Sequence, residues 1–294
     1  ICPETNELLF FGYQMMRKPY LTYHRVSADG ELVQSEEIDI PRPVMMHDWN
    51  ITRNYVIFMD LPLVFDLDQA VSGSDPFGFR PECGARLGVM PRDGSNKDIK
   101  WIDINPCFVF HPMNAYEEDN KIILHVCRQN KAMVGGMDEI YGGKDTTGKL
   151  WKWTINLDAE TCKEEQIDDA ACDFARVDDR LTGLKAKNGY AMAIDENAKT
   201  LTFGQFLYKF NLEKNTRTDH DLGDNVFGGE PVFVPKSKES SEEKGWVMAI
   251  VFDDNIKKSK LIIVDVENFD KKPVCEVILP QRVPFGAHGS WLSN

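Results

Sequence analysis

Short apolar or alternating runs dominate the chain. LLFFGYQ, NYVIFMDLPLVF, CFVFHPMNAYEE, KIILHVCR, LWKWTINLD, GYAMAI, EPVFVP, GWVMAIVFD and KLIIVDVE are bounded by Asp, Asn, Gly and Pro turns, which is strand patterning. No segment sustains an apolar period of 3.6 residues, so the pattern predicts an all-β fold with few long helices.

Three of the runs resemble one another. WTINLD at 153–158 lines up with YKFNLE at 208–213 and IIVDVE at 262–267, a spacing of roughly 55 residues. A four-stranded propeller blade repeats at about 40–50 residues, more with insertions, so the spacing predicts about five or six blades. The competing reading is chance likeness among acid-terminated strands. Two stretches read as surface loops: the Gly-rich VGGMDEIYGGKDTTG at 134–148, and KSKESSEEKG at 236–245, expected to be a solvated hairpin tip.

The 294 residues are 42% apolar, enough for a substantial core. No run of eighteen or more apolar residues predicts a membrane-spanning helix. The opening ICPETNELLFFGYQ reads as a turn entering a strand. The chain is therefore expected to begin inside a fold, with any targeting segment upstream. Asp and Glu number 47 against 34 Lys and Arg, for a net charge of −13. That balance argues against a nucleic-acid partner and against docking on anionic lipid. Seven scattered cysteines with no CxxC pair disfavour a disulfide framework or thiolate zinc, and fit a reducing intracellular compartment, cytoplasm or plastid.

The candidate chemistry lies in the histidines. His47 in VMMHDWNIT, His111 in CFVFHPMNAYEED and His288 in VPFGAHGSW each stand where a strand meets a loop, a position from which a side chain can point into a central axis. Their long separations suit ligands delivered by different blades and do not suit a local zinc motif. His24 sits on an alternating strand, His125 reads as blade packing, and His220 lies in an acidic turn.

Six ordered blocks, HDWNITRNYVIFMDLPL, RLGVMPR, VFHPMNAYEE, FGGEPVFVP, GWVMAIVFD and RVPFGAHGSW, resemble the carotenoid cleavage oxygenases. The resemblance runs from residue 4 to residue 291. It implies a seven-bladed β-propeller with a helical cap and Fe(II) held on the axis by four histidines. Residues 1–294 would be a single propeller domain lacking its N-terminal part. Three ligand positions match His47, His111 and His288; the first falls upstream of Ile1. The family also sets glutamates behind the ligands. One matches Glu230. Another falls in CDFARVDDRLTG, where the family has Glu-Phe-Pro-Arg and this chain has Asp173 and Ala175. The third lies upstream. Asp48, Glu117 and Glu118 are further candidates by position, the last two reading rather as turn residues.

The resemblance implies insertion of both atoms of O2 across a C=C bond of a carotenoid or apocarotenoid, giving two carbonyl products. Four neutral imidazoles leave the metal its full charge and open positions, and carboxylates behind them orient the rings. The expected partners are an apolar polyene and O2. A peripheral membrane contact would fall to cap segments or to segments outside the chain. Phe110 and Trp291 are candidates for an apolar substrate channel, against a reading as ordinary core. Alternatives are a stilbene-cleaving dioxygenase, retinyl ester isomerase chemistry, and a non-catalytic propeller scaffold or inactive fragment.

Overall fold

Strands form where the apolar runs fall, and each run's character matches its place in a sheet. The computed structural model describes residues 1–132, 145–198, 202–285 and 288–292. Among these, five antiparallel sheets follow one another along the chain. The first holds β1 (Leu8–Tyr13), β2 (Leu21–Val26) and β3 (Leu32–Ile38). The second orders β4 (Asn50–Ile51), β5 (Tyr55–Asp60), β8 (Ala85–Pro91) and β9 (Lys100–Ile104). Inserted in it are the hairpin β6 (Leu63–Phe65) and β7 (Phe77–Phe79) and the one-and-a-half-turn helix α1 (Leu67–Ser72). The third orders β10 (Phe108–Glu118), β11 (Lys121–Gln129), β12 (Lys149–Asn156) and β13 (Thr161–Gln166). The fourth orders β14 (Cys172–Arg176), β15 (Asn188–Ile194), β16 (Phe203–Asn211) and β17 (Thr216–Asp221). The fifth has β18 (Val226–Phe227) and β19 (Val232–Pro235) both pairing β20 (Gly245–Asp253), then β21 (Lys258–Asp265) and β22 (Cys275–Ile278).

The second strands β5, β11 and β15 are buried almost throughout, which is why they read as continuous apolar runs. The outer strands β13, β17 and β22 are polar or exposed along most of their length. The three similar segments overlap β12, β16 and β21, the third strand of three consecutive sheets. The β10–β11 hairpin turns on Asp119 and Asn120, both at positive φ, the backbone that a two-residue turn between right-twisted strands requires.

Four apolar layers join the sheets face to face. Tyr23 and Phe58 lie between the first and second, Phe108 and Trp153 between the second and third, Met113 and Phe210 between the third and fourth, and Tyr190 and Val247 between the fourth and fifth. The Gly-rich stretch expected as a loop lies for the most part outside the described residues. The segment 236–245 is more than a solvated tip: the Glu242 carboxylate accepts the backbone N–H groups of Lys187 and Asn188 at 2.8 and 2.9 Å, tying the turn to the start of β15. All seven cysteines are free thiols, Cys127 and Cys172 facing each other at 3.8 Å between the third and fourth sheets.

Candidate metal centre

The first strands of the third and fourth sheets are irregular, and the candidate residues lie on these strands and on segments between strands. His47 lies three residues before β4. His111 stands in β10 where the ladder to β11 slips on either side of Pro112, which has no N–H to contribute. The ladder of β14 to β15 slips between Asp173 and Arg176, leaving Phe174 and Ala175 in a bulge flanked by those two residues. Phe174 takes a φ of 55°, a costly backbone for an aromatic residue and a mark of a functionally constrained position. Glu230 follows Gly228 and Gly229 between β18 and β19. A Cβ on Gly229 would lie 2.2 Å from the Ile250 carbonyl oxygen, so only glycine lets the chain pass β20 here. His288 lies on the segment after β22.

The three histidines expected from the sequence come together. Ring centroids are 5.0 Å apart for His47–His111, 5.0 Å for His111–His288 and 6.4 Å for His47–His288. Each ring uses Nδ1 on an acceptor. His47 donates to the Phe110 carbonyl at 3.1 Å, His111 to Asp173 Oδ1 at 2.8 Å, and His288 to Glu230 Oε1 at 3.0 Å. An acceptor at Nδ1 fixes the tautomer and leaves a neutral imidazole with its lone pair on Nε2. Among the described residues no hydrogen bond engages Nε2 of any of the three. Two imidazoles sharing a metal at ~2.0–2.2 Å hold their centroids roughly 4.5–6.5 Å apart. The observed separations fall in that range. As they stand, no three His, Cys, Asp or Glu among the described residues form a closed metal-holding group. Neutral imidazole nitrogens of this kind suit a first-row transition metal ion.

Electrostatics differ among the rings. His111 is 6% exposed. Burial pulls its pKa down, but the Asp173 charge and hydrogen bond outweigh that and leave it raised. His47 is lowered, first by burial and then by the nearby His111. His47 is itself exposed and borders an open cavity. Burial pushes the Asp48 carboxyl up to about 6. That carboxylate accepts the Trp49 N–H at 2.7 Å and is not bonded to a histidine.

Two cavities meet at His288 and Glu230. One, of about 480 Å³, is bordered by His47, Asp48, His111 and Arg176. The other, of about 230 Å³, is walled by Phe203, Val232, Phe252, Phe285 and Trp291. Trp291 thus borders apolar space next to the histidines. Phe110 is buried; its ring meets His47 edge-on at 5.2 Å and its carbonyl holds the same histidine. Glu117 and Glu118 lie away from the rings. Glu117 binds Thr52 and Asn54, and Glu118 pairs with Lys185. His125 is buried against Tyr116, and His220 donates to the Phe269 carbonyl. Sequence reading missed two residues at the bulge: Phe174, stacked on His111 at 4.4 Å, and Arg176, bonded to Glu230 at 3.0 Å. The matched block contained both, but nothing in composition or spacing marks a bulge.

The description "Retinal pigment epithelial membrane protein" (RPE65) belongs to a family model that matches residues 1–293. Carotenoid 9,10(9',10')-cleavage dioxygenase 1 of Pisum sativum is 34% identical over 99% of this chain, which spans 57% of that protein's length. Among solved structures, lignostilbene dioxygenase of Pseudomonas brassicacearum superposes with a TM-score of 0.87 at 25% identity, over 100% of this chain and 65% of that one. Cobalt-substituted Synechocystis apocarotenoid oxygenase gives 0.83 at 27% identity, over 93% of this chain and 58% of that one. Matched along nearly its whole length, the chain belongs to the RPE65 family, that of the carotenoid cleavage oxygenases.

Proposed function

We propose that the chain is the metal-bearing part of a non-haem Fe(II) dioxygenase that cleaves a C=C bond of a carotenoid or apocarotenoid to two carbonyl products. One observation carries the reading: three neighbouring imidazoles, each with Nδ1 committed and, among the described residues, no hydrogen bond on Nε2. His47, His111 and His288 would hold the ion, with the fourth imidazole of the family pattern assigned to residues outside this chain. The five sheets would be blades of a seven-bladed propeller in one domain. The relative named for carotenoid cleavage and the cobalt-substituted neighbour support the substrate class and the metal.

When bound, Fe(II) supplies activation of O2 beside the alkene. The rest falls to the chain's own residues. Asp173 and Glu230 fix the ring orientations and offset positive charge without occupying the metal. Phe174 covers one face of His111 and keeps water from the His111–Asp173 bond. The apolar cavity beside His288 receives part of a polyene and excludes water from it, with Trp291 at its border.

Cleavage of a stilbene-like phenolic is the second reading, favoured by the lignostilbene dioxygenase that superposes over the whole chain. Iron-loaded whole protein is assayed for O2-dependent loss of a β-carotene, an apocarotenal and a hydroxystilbene, with aldehyde products identified by mass. Aldehydes from a polyene support the first reading, and aldehydes from the stilbene alone support the second. No cleavage of any, with iron bound, overturns both.

A further inference from the structure

Of the three rings, only His111 stands within a strand; His288 depends on side-chain contacts. It lies on a segment without regular secondary structure, and its side chain is 49% exposed. What holds it is the Glu230 carboxylate, which takes His288 Nδ1–H on Oε1 and the Gly289 N–H on Oε2 at 2.6 Å. Glu230 is itself only 6% exposed in its side chain, and a buried carboxylate needs a counter-charge. Arg176 provides it. One guanidinium nitrogen, Nη1, donates to Glu230 Oε1 at 3.0 Å and to the Gly289 carbonyl at 2.9 Å. The other, Nη2, donates to both Asp179 oxygens at 3.0 and 3.1 Å.

We propose that Arg176 is a positioning residue for the metal centre, acting through Glu230 and the Gly289 carbonyl to hold His288 in place. The inference rests on the metal reading above. Arg176 touches both groups that fix the histidine: the carboxylate behind its ring and the backbone just after it. Only a planar fork with several donors does this while also engaging Asp179; a lysine offers a single point charge. Asp179 is half exposed, so that pair contributes little stability alone. Its role here is to orient the fork. The bulge explains how one strand serves two ligands. Residues three apart in a regular strand point to opposite faces. With Phe174 at positive φ, Asp173 and Arg176 both reach the site, one to His111 and one to Glu230.

The test uses the whole protein, metal-free and then titrated with Co(II), as wild type, Arg176→Gln, Arg176→Lys, Glu230→Gln and the Arg176→Gln/Glu230→Gln double variant. Without metal, hydrogen exchange of the Gly289 amide is read by selective labelling. It is expected to speed up by at least ~10-fold in Arg176→Gln, as for local opening, and less in Arg176→Lys. With Co(II), Arg176→Gln and Glu230→Gln are each expected to weaken binding by about 10–100-fold. The double variant should then weaken binding by less than the product of the two single losses, because coupled residues do not add. Unchanged Gly289 exchange, unchanged Co(II) affinity in Arg176→Gln, or losses that add would each overturn the proposal. A wild type that takes up no Co(II) overturns the metal reading instead, and the Gly289 exchange then decides whether Arg176 holds His288.

Discussion

His111 and Asp173, sixty-two positions apart, meet through a 2.8 Å hydrogen bond from Nδ1 to Oδ1 in a site where both are almost wholly buried. Asp173 Oδ1 also accepts the Phe174 N–H at 2.9 Å. The acid one methylene shorter than glutamate thus reaches the ring directly. Asp173→Asn keeps the size and removes the charge. It is expected to weaken metal retention by about 10–100-fold, measured as Co(II) affinity. Retention equal to wild type would remove Asp173 from the centre.

Gly189 in β15 faces Met113, whose sulfur would lie 2.1 Å from a Cβ at that position. Gly189→Ala is expected to destabilise the fold by about 1–3 kcal/mol through overpacking, read from the urea midpoint. Met113 borders the larger cavity, so the same variant should also lower Co(II) affinity.

Glu242 closes the 236–245 turn on β15. Glu242→Ala leaves two backbone donors without their acceptor, one of them on Asn188, which is 3% exposed. The expected loss is about 1–3 kcal/mol, with Co(II) affinity unchanged. Stability equal to wild type would mean that the turn is held by other contacts.

The sequence made the inner sheets legible and the outer edges obscure, for one physical reason. KIILHVCR and GYAMAI became strands buried on both faces, so burial wrote itself into their composition. TCKEEQ and TRTDHD are strands held mainly by ladder hydrogen bonds to one neighbour, and charged surfaces do not distinguish them from loops. At the site, His47, His111, His288 and Glu230 were singled out by their block matches; the strand-end setting expected of the histidines does not hold for His111, which stands inside β10, or for His288, ten residues past β22. Phe174 and Arg176 were not singled out, because their roles depend on a bulge and a positive φ that no residue type there announces.

Anomalous diffraction at the cobalt edge, from crystals of the whole protein soaked in Co(II), shows whether the three histidines hold one ion. One strong peak is expected about 2.0–2.2 Å from Nε2 of His47, His111 and His288 together, with each Nδ1 still on its acceptor. No peak among these rings, or cobalt bound elsewhere with the three Nε2 atoms left free, would contradict it.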